Sequence, residues 1–232
     1  MRSPKKIAVA ALAASALAAG GAFAALGSAA NPPLTLSEVP AANTKSEGYA
    51  PATRLSPELT ATLAAQGSTP LENPSSLTST YGYDNDVLNS AGQPVMVPTP
   101  KTMAEAEKLR EAQKTDPDKN TYLKVPASLP GGDPKYGYGT RFLFQGHEAG
   151  AGGRGYLTRI NLDADAAHRV TLLADKDNTG KPLATIDGST FDPFSGKLLL
   201  TTENEGNPTY AASIYGYPSN VVDVSGALGR GG

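Results

Sequence analysis

Three stretches of this 232-residue chain carry side chains that could hold a cation or move a proton. In FLFQGHEAGAGGRGY, an apolar run ends at Gly146 and leads directly into His147, Glu148 and a glycine-rich loop. A carboxylate at a strand end can offer oxygen to calcium, and a neighbouring imidazole can orient it. An ordinary His-Glu pair in an exposed loop is the alternative. In GKLLLTTENEG, three leucines lead into Glu203, Asn204 and Glu205. Oxygen donors at the end of a buried strand suit calcium, or else they are a solvated strand end. In NLDADAAHRV, Asp163 and Asp165 alternate ahead of His168. The glycine and terminal glutamate of an EF-hand loop are missing, so a solvated hairpin tip is expected. Asp187-Gly188 and Asp192-Pro193 read as turns.

Other chemistries lack the residues to carry them. The chain has no cysteine, which removes thiolate zinc sites, iron–sulfur clusters and cysteine nucleophiles. Only two histidines are present, with no G-x-S-x-G or H-E-x-x-H pattern. The glycine-rich run after Glu148 lacks the ordered spacing of a phosphate loop before a helix.

The elements that must position these residues follow from composition and pattern. The first 30 residues carry Arg2, Lys5 and Lys6 ahead of an alanine-rich apolar stretch and small residues suited to cleavage. This is the layout of a secretory signal peptide, with cleavage expected between Ala25 and Asn31. An exported, secreted protein with no stable membrane insertion after cleavage is the expectation. The remainder holds 17 Lys and Arg against 22 Asp and Glu, which argues against nucleic acid as a partner. With no disulfides available, core burial and metal ions must supply stability.

Residues 31–118 read as a largely irregular N-terminal extension. Two short helices are predicted in it, near 57–66 and 103–114. Ser56, Pro57 and Gly67 supply start and stop signals for the first, and Leu59 and Leu63 share a face. Thr102 and Glu105 have capping-box spacing for the second. After Pro117 the pattern changes to short apolar runs, TYLKVP, RFLFQG, GYLTRINLD, RVTLLAD, GKLLLTTEN and ASIYGY, separated by Gly, Pro, Asp and Asn. This predicts a mainly β fold. Residues 119–232 read as an incomplete β-propeller of two to three blades, since a blade takes about 40–50 residues and a closed ring about four to eight blades. A β-sandwich is the alternative architecture.

Four segments, GTRFLFQGHEAG, GYLTRINLD, DGSTFDPFSGKLLLTTEN and VVDVSGALGRGG, resemble the first blades of PhoX-type alkaline phosphatases and their actinobacterial relatives. The resemblance spans about residues 120–232 and implies the N-terminal portion of a secreted β-propeller that hydrolyses phosphate monoesters with iron and calcium near its axis. The family's Asn-His-Glu segment falls on Gly146-His147-Glu148, which implies Glu148 as a metal ligand. Its Thr-Cys-Glu-Glu segment falls on Thr201-Thr202-Glu203-Asn204, implying Glu203, with Asn204 beside it, as metal ligands. Thr202 stands in place of the iron-binding cysteine and Asn204 in place of the second acid. A hydroxyl and an amide suit calcium better than ferric iron. Calcium is therefore the expected cofactor, with iron the poorer fit, and a small phosphorylated molecule the expected substrate. No nucleophile can be named. A non-catalytic extracellular propeller that binds a ligand or partner, and a calcium-dependent propeller lactonase, are the alternative functions.

Overall fold

The structure, a computed structural model, describes residues 35–37, 55–98, 109–111, 114–150 and 154–228. Residues 1–34, where the signal peptide is expected, and residues 151–153 lie outside them. The chain divides into two units, Met1–Ala61 and Thr62–Gly232. In the first, Ser37 donates from its backbone N–H and its hydroxyl to the Glu58 carboxylate. Among the described residues no helix is long and apolar enough to cross a membrane.

The helix predicted near 57–66 is not formed. Leu59 N–H donates to Ser56 O at 2.9 Å and closes a single turn, after which no regular structure follows up to Gln66. Leu59 and Leu63, the intended apolar face, are exposed. A short helix is marginal without a core to pack on, and β-branched Thr60 and Thr62 weaken it further. Of the second predicted helix, residues 103–108 and 112–113 lie outside the described residues. Leu109–Glu111 form a strand instead.

Ten strands are described. A short antiparallel pair joins β1 (Met96–Pro98) to β2 (Leu109–Glu111). The rest form two four-stranded antiparallel sheets. The first contains β3 (Pro117–Lys124), β4 (Arg141–Gly150), β5 (Arg154–Asn161) and β6 (Val170–Ala174). The second contains β7 (Ile186–Asp192), β8 (Lys197–Thr202), β9 (Tyr210–Ser213) and β10 (Val221–Asp223). In each, every strand pairs with its neighbour in sequence, so each is a meander. The mainly β expectation holds. Among the described residues the sheets do not close into a ring.

Alternation sends one set of side chains of the first sheet toward the second sheet. Phe142, Phe144 and Leu157 share a core with Ile186, Leu198, Leu200, Tyr210, Ala212 and Val221. The other face packs Tyr156, Ile160 and Leu172 against Leu71 and Tyr81 of the preceding segment. Because both faces are covered, β5 is buried almost throughout and β6 entirely. Leu198 and Leu200 are fully buried, while Leu199 points to the other face and is half-buried.

Residues 62–84 form no strand or helix yet are well bonded. Glu72 N–H donates to Val170 O at 2.9 Å. The Asn73 side-chain amide donates to Leu172 O and accepts from Leu172 N–H, both at 2.8 Å. Asn73 thus continues the ladder along the free edge of β6, an edge that would otherwise invite pairing with another chain.

Candidate metal centre

Antiparallel pairing brings four acids to one end of the two sheets. Asp118 lies near the start of β3 and Glu148 near the end of β4, so both sit at the same end of the first sheet. Asp187 is the second residue of β7 and Glu203 directly follows β8, which places them at one end of the second sheet. The two ends meet because β3 lies beside β7, with Thr121 and Ser189 hydroxyls 2.7 Å apart. Gly146 makes the approach closer still. A Cβ there would collide with Ile186, the fully buried residue just before Asp187.

Each of the three acids Asp118, Glu148 and Asp187 sits where its ladder breaks register. The shifts fall between Pro117 and Asn120 in β3, between His147 and Gly150 in β4, and between Ile186 and Gly188 in β7. A bulge re-aims the side chain it carries, and bulges recur beside functional sites. The Asp118 bulge is tied down by Gln145, whose side-chain amide donates to Asp118 O. In the Asp187 bulge, Gly188 leaves room for the Thr201 hydroxyl.

The result is a trio of carboxylates. One oxygen from each of Asp118, Glu148 and Asp187 lies within 4.8 Å of the others, with Asp118 and Asp187 exposed and Glu148 half-buried. Burial first, then the Asp118 charge, a hydrogen bond to Asp187 and the charges of Glu203 and Asp187, push the Glu148 carboxyl up to about 7. Glu148 therefore trades its negative charge for a proton near neutral pH unless a cation takes the proton's place. Three carboxylate oxygens from three strands could hold a metal ion, and the chain has no cysteine to offer a softer ligand.

The remaining sequence-predicted residues fall around this trio. Glu203 acts on Glu148 through its charge, and its own side chain is exposed. Asn204 is exposed, and its carbonyl accepts from Asn207 N–H at 3.1 Å to close a turn. Thr202 donates its hydroxyl to Pro208 O at 2.9 Å. The strand predicted to stop at Gly146 continues to Gly150, so His147 and Glu148 project from opposite faces of β4. His147 is buried and held near Thr115 and Thr158. Burial lowers its pKa to about 3, which keeps the ring neutral.

Among the described residues, Asp163 and Asp165 serve structural bonds and join no metal-holding cluster. Asp163 accepts from Thr140 N–H and Arg141 N–H and pairs with the Arg141 guanidinium, while Asp165 accepts from Ala167 and His168 N–H. Asp192 caps Phe194 and Ser195 N–H, as a turn residue should. Asp187 does not form the turn expected of it: it lies within β7, and the Asp-Gly pair is a bulge. Asp118, too, was not legible as a candidate. Its signal was the Asp116-Pro117-Asp118 run, where a turn residue and a proline precede a strand that must change direction.

No family model, curated protein or solved structure matches the chain.

Proposed function

We propose that this chain carries the cation centre of a secreted, PhoX-like phosphomonoesterase, with calcium held by Asp118, Glu148 and Asp187. The observation that carries the reading is the convergence of three bulge-borne carboxylates from β3, β4 and β7 within 4.8 Å. The four-stranded antiparallel meander is the repeating unit of β-propellers, and two in succession support that architecture. The resemblance of residues 120–232 to PhoX-type phosphatases supports a phosphate monoester as substrate.

In this reading the three carboxylates bind the ion, and Glu203 deepens the negative field at the same end of the sheets. When bound, a divalent cation supplies charge stabilisation to a phosphoryl oxygen. His147 supplies no proton transfer, because it is neutral, buried and on the opposite face of β4. That same observation favours the second reading, a non-catalytic extracellular β-propeller in which calcium is structural.

The test is hydrolysis of p-nitrophenyl phosphate by the protein secreted from its native host, with calcium and with chelator. Calcium-dependent release of nitrophenol, lost in Asp187→Asn, is the expected result. Calcium binding without hydrolysis would leave the structural role, and absence of calcium binding would overturn both.

A further inference from the structure

Resting on the reading that the carboxylate trio holds a cation, we infer that His147 and Thr115 form a buried strut that sets Asp118 opposite Glu148. Both are positioning residues that touch neither the ion nor a substrate.

The hydrogen-bond arithmetic at His147 has one complete solution. Thr115 Oγ1 lies 3.1 Å from Tyr81 O and 2.8 Å from His147 Nδ1. A carbonyl only accepts, so the single hydroxyl proton of Thr115 goes to Tyr81. Nδ1 must then carry the ring hydrogen and donate it to Thr115 Oγ1. That leaves Nε2 as an acceptor, and the Thr158 hydroxyl, 2.8 Å away, donates to it. The ring is fixed in one tautomer with both nitrogens satisfied. The edge of one ring meets the other between Tyr81 and His147, with centroids 5.2 Å apart.

What the strut holds is the chain from Thr115 to Asp118. Thr115 is 1% exposed and is anchored by its own N–H to Gly82 O at 3.0 Å. Asp116 follows with φ of 38°, a conformation that L-residues other than glycine rarely adopt. Such a conformation persists only when its surroundings enforce it. Here the Asp116 carbonyl accepts from Glu148 N–H at 3.1 Å, and Pro117 pairs opposite His147. Thr115, Asp116 and Pro117 are thus each tied to His147 or Glu148. The next residue is Asp118, released from regular pairing by its bulge and aimed at the trio. Without the ring-to-hydroxyl bond the strained Asp116 turn loses its side-chain tie to His147, and Asp118 loses its fixed distance from Glu148.

Calcium titration calorimetry on the full chain, together with amide exchange at Glu148, tests the strut. Thr115→Val is expected to weaken calcium binding by about tenfold or more, as loss of a ligand-orienting partner does, and to speed exchange of the Glu148 amide. Thr115→Ser, which keeps the hydroxyl, should restore both. A second pair covers poor folding of the valine variant. His147→Asn puts an amide near Nδ1 and should keep the Thr115 tie and the affinity. His147→Gln reaches toward Thr158 instead and should lose affinity. Wild-type affinity and Glu148 protection in Thr115→Val, or equal behaviour of the Asn and Gln variants, would overturn the strut. If the wild type binds no calcium, the cation reading fails, and Glu148 exchange in Thr115→Val alone decides the strut.

Discussion

Asp187 and Asp192 show how one residue type acquires two jobs five residues apart in the same strand. Asp192 spends its carboxylate on the N–H groups of Phe194 and Ser195. Asp187 sits in a bulge and faces Asp118 and Glu148. Asp187→Asn should therefore weaken calcium binding by about tenfold or more, while Asp192→Asn should leave it unchanged, as read by calorimetric titration of the two variants. Asp163 gives a separate residue-scale prediction. The Arg141 guanidinium, and then Thr140 N–H, hold its carboxyl down at about 2. A depressed carboxylate contributes stability above its unfolded pKa, and loses that contribution as pH falls through the folded one. Asp163→Asn should lower the melting temperature at pH 7. The gap from wild type should narrow as pH drops from about 4 toward 2. A gap that stays constant over that range would detach Asp163 from the Arg141 pairing.

At the scale of elements, the contact between β4 and β7 decides whether the acids meet. Gly146→Ala would set a methyl against Ile186 and drive the strands apart. Overpacking of this kind costs about 1–3 kcal/mol. Because Asp187 follows Ile186, the substitution should also weaken calcium binding. Denaturant unfolding and calcium titration of the same variant read the two effects, and a destabilised variant with wild-type affinity would separate the packing from the site. A further element-scale prediction concerns the edge of β6. Asn73→Ala removes both side-chain bonds to Leu172 and should expose that edge, lowering stability by about 1–3 kcal/mol and raising aggregation on heating, measured by light scattering.

These elements also show what a sequence can and cannot disclose. The strands around Phe142, Leu157, Leu172 and Leu198 were legible because apolar alternation and buried runs are local signals. The residues 57–66 carried equally local helix signals, but Leu59 and Leu63 stay exposed, and packing outside the segment settles such short helices. Glu148 and Glu203 stood out as acids at strand ends. Asp118 and Asp187 did not, because a bulge is a relation between two strands and leaves little trace in either alone. The function of Asn73 as a surrogate ladder partner was hidden for the same reason, since its bonding partner lies 99 residues away.

Across the whole molecule, the two meanders act as a frame that holds like charges together. The shared core of Phe142, Phe144, Ile186, Leu198 and Leu200 fixes the sheets against each other, and the acids gather at one end of that frame. A cation there would be bound by the folded chain and not by the unfolded one. The most direct test of the account is thermal and denaturant unfolding of wild type and of the Asp118→Asn, Glu148→Gln, Asp187→Asn triple variant, each with saturating calcium and with chelator. With calcium at about 100 times its dissociation constant, the wild type should gain about 2.7 kcal/mol over the chelated protein, and the triple variant should gain nothing. An equal calcium response in the two proteins, or none in the wild type, would contradict the claim that these three carboxylates form a cation site.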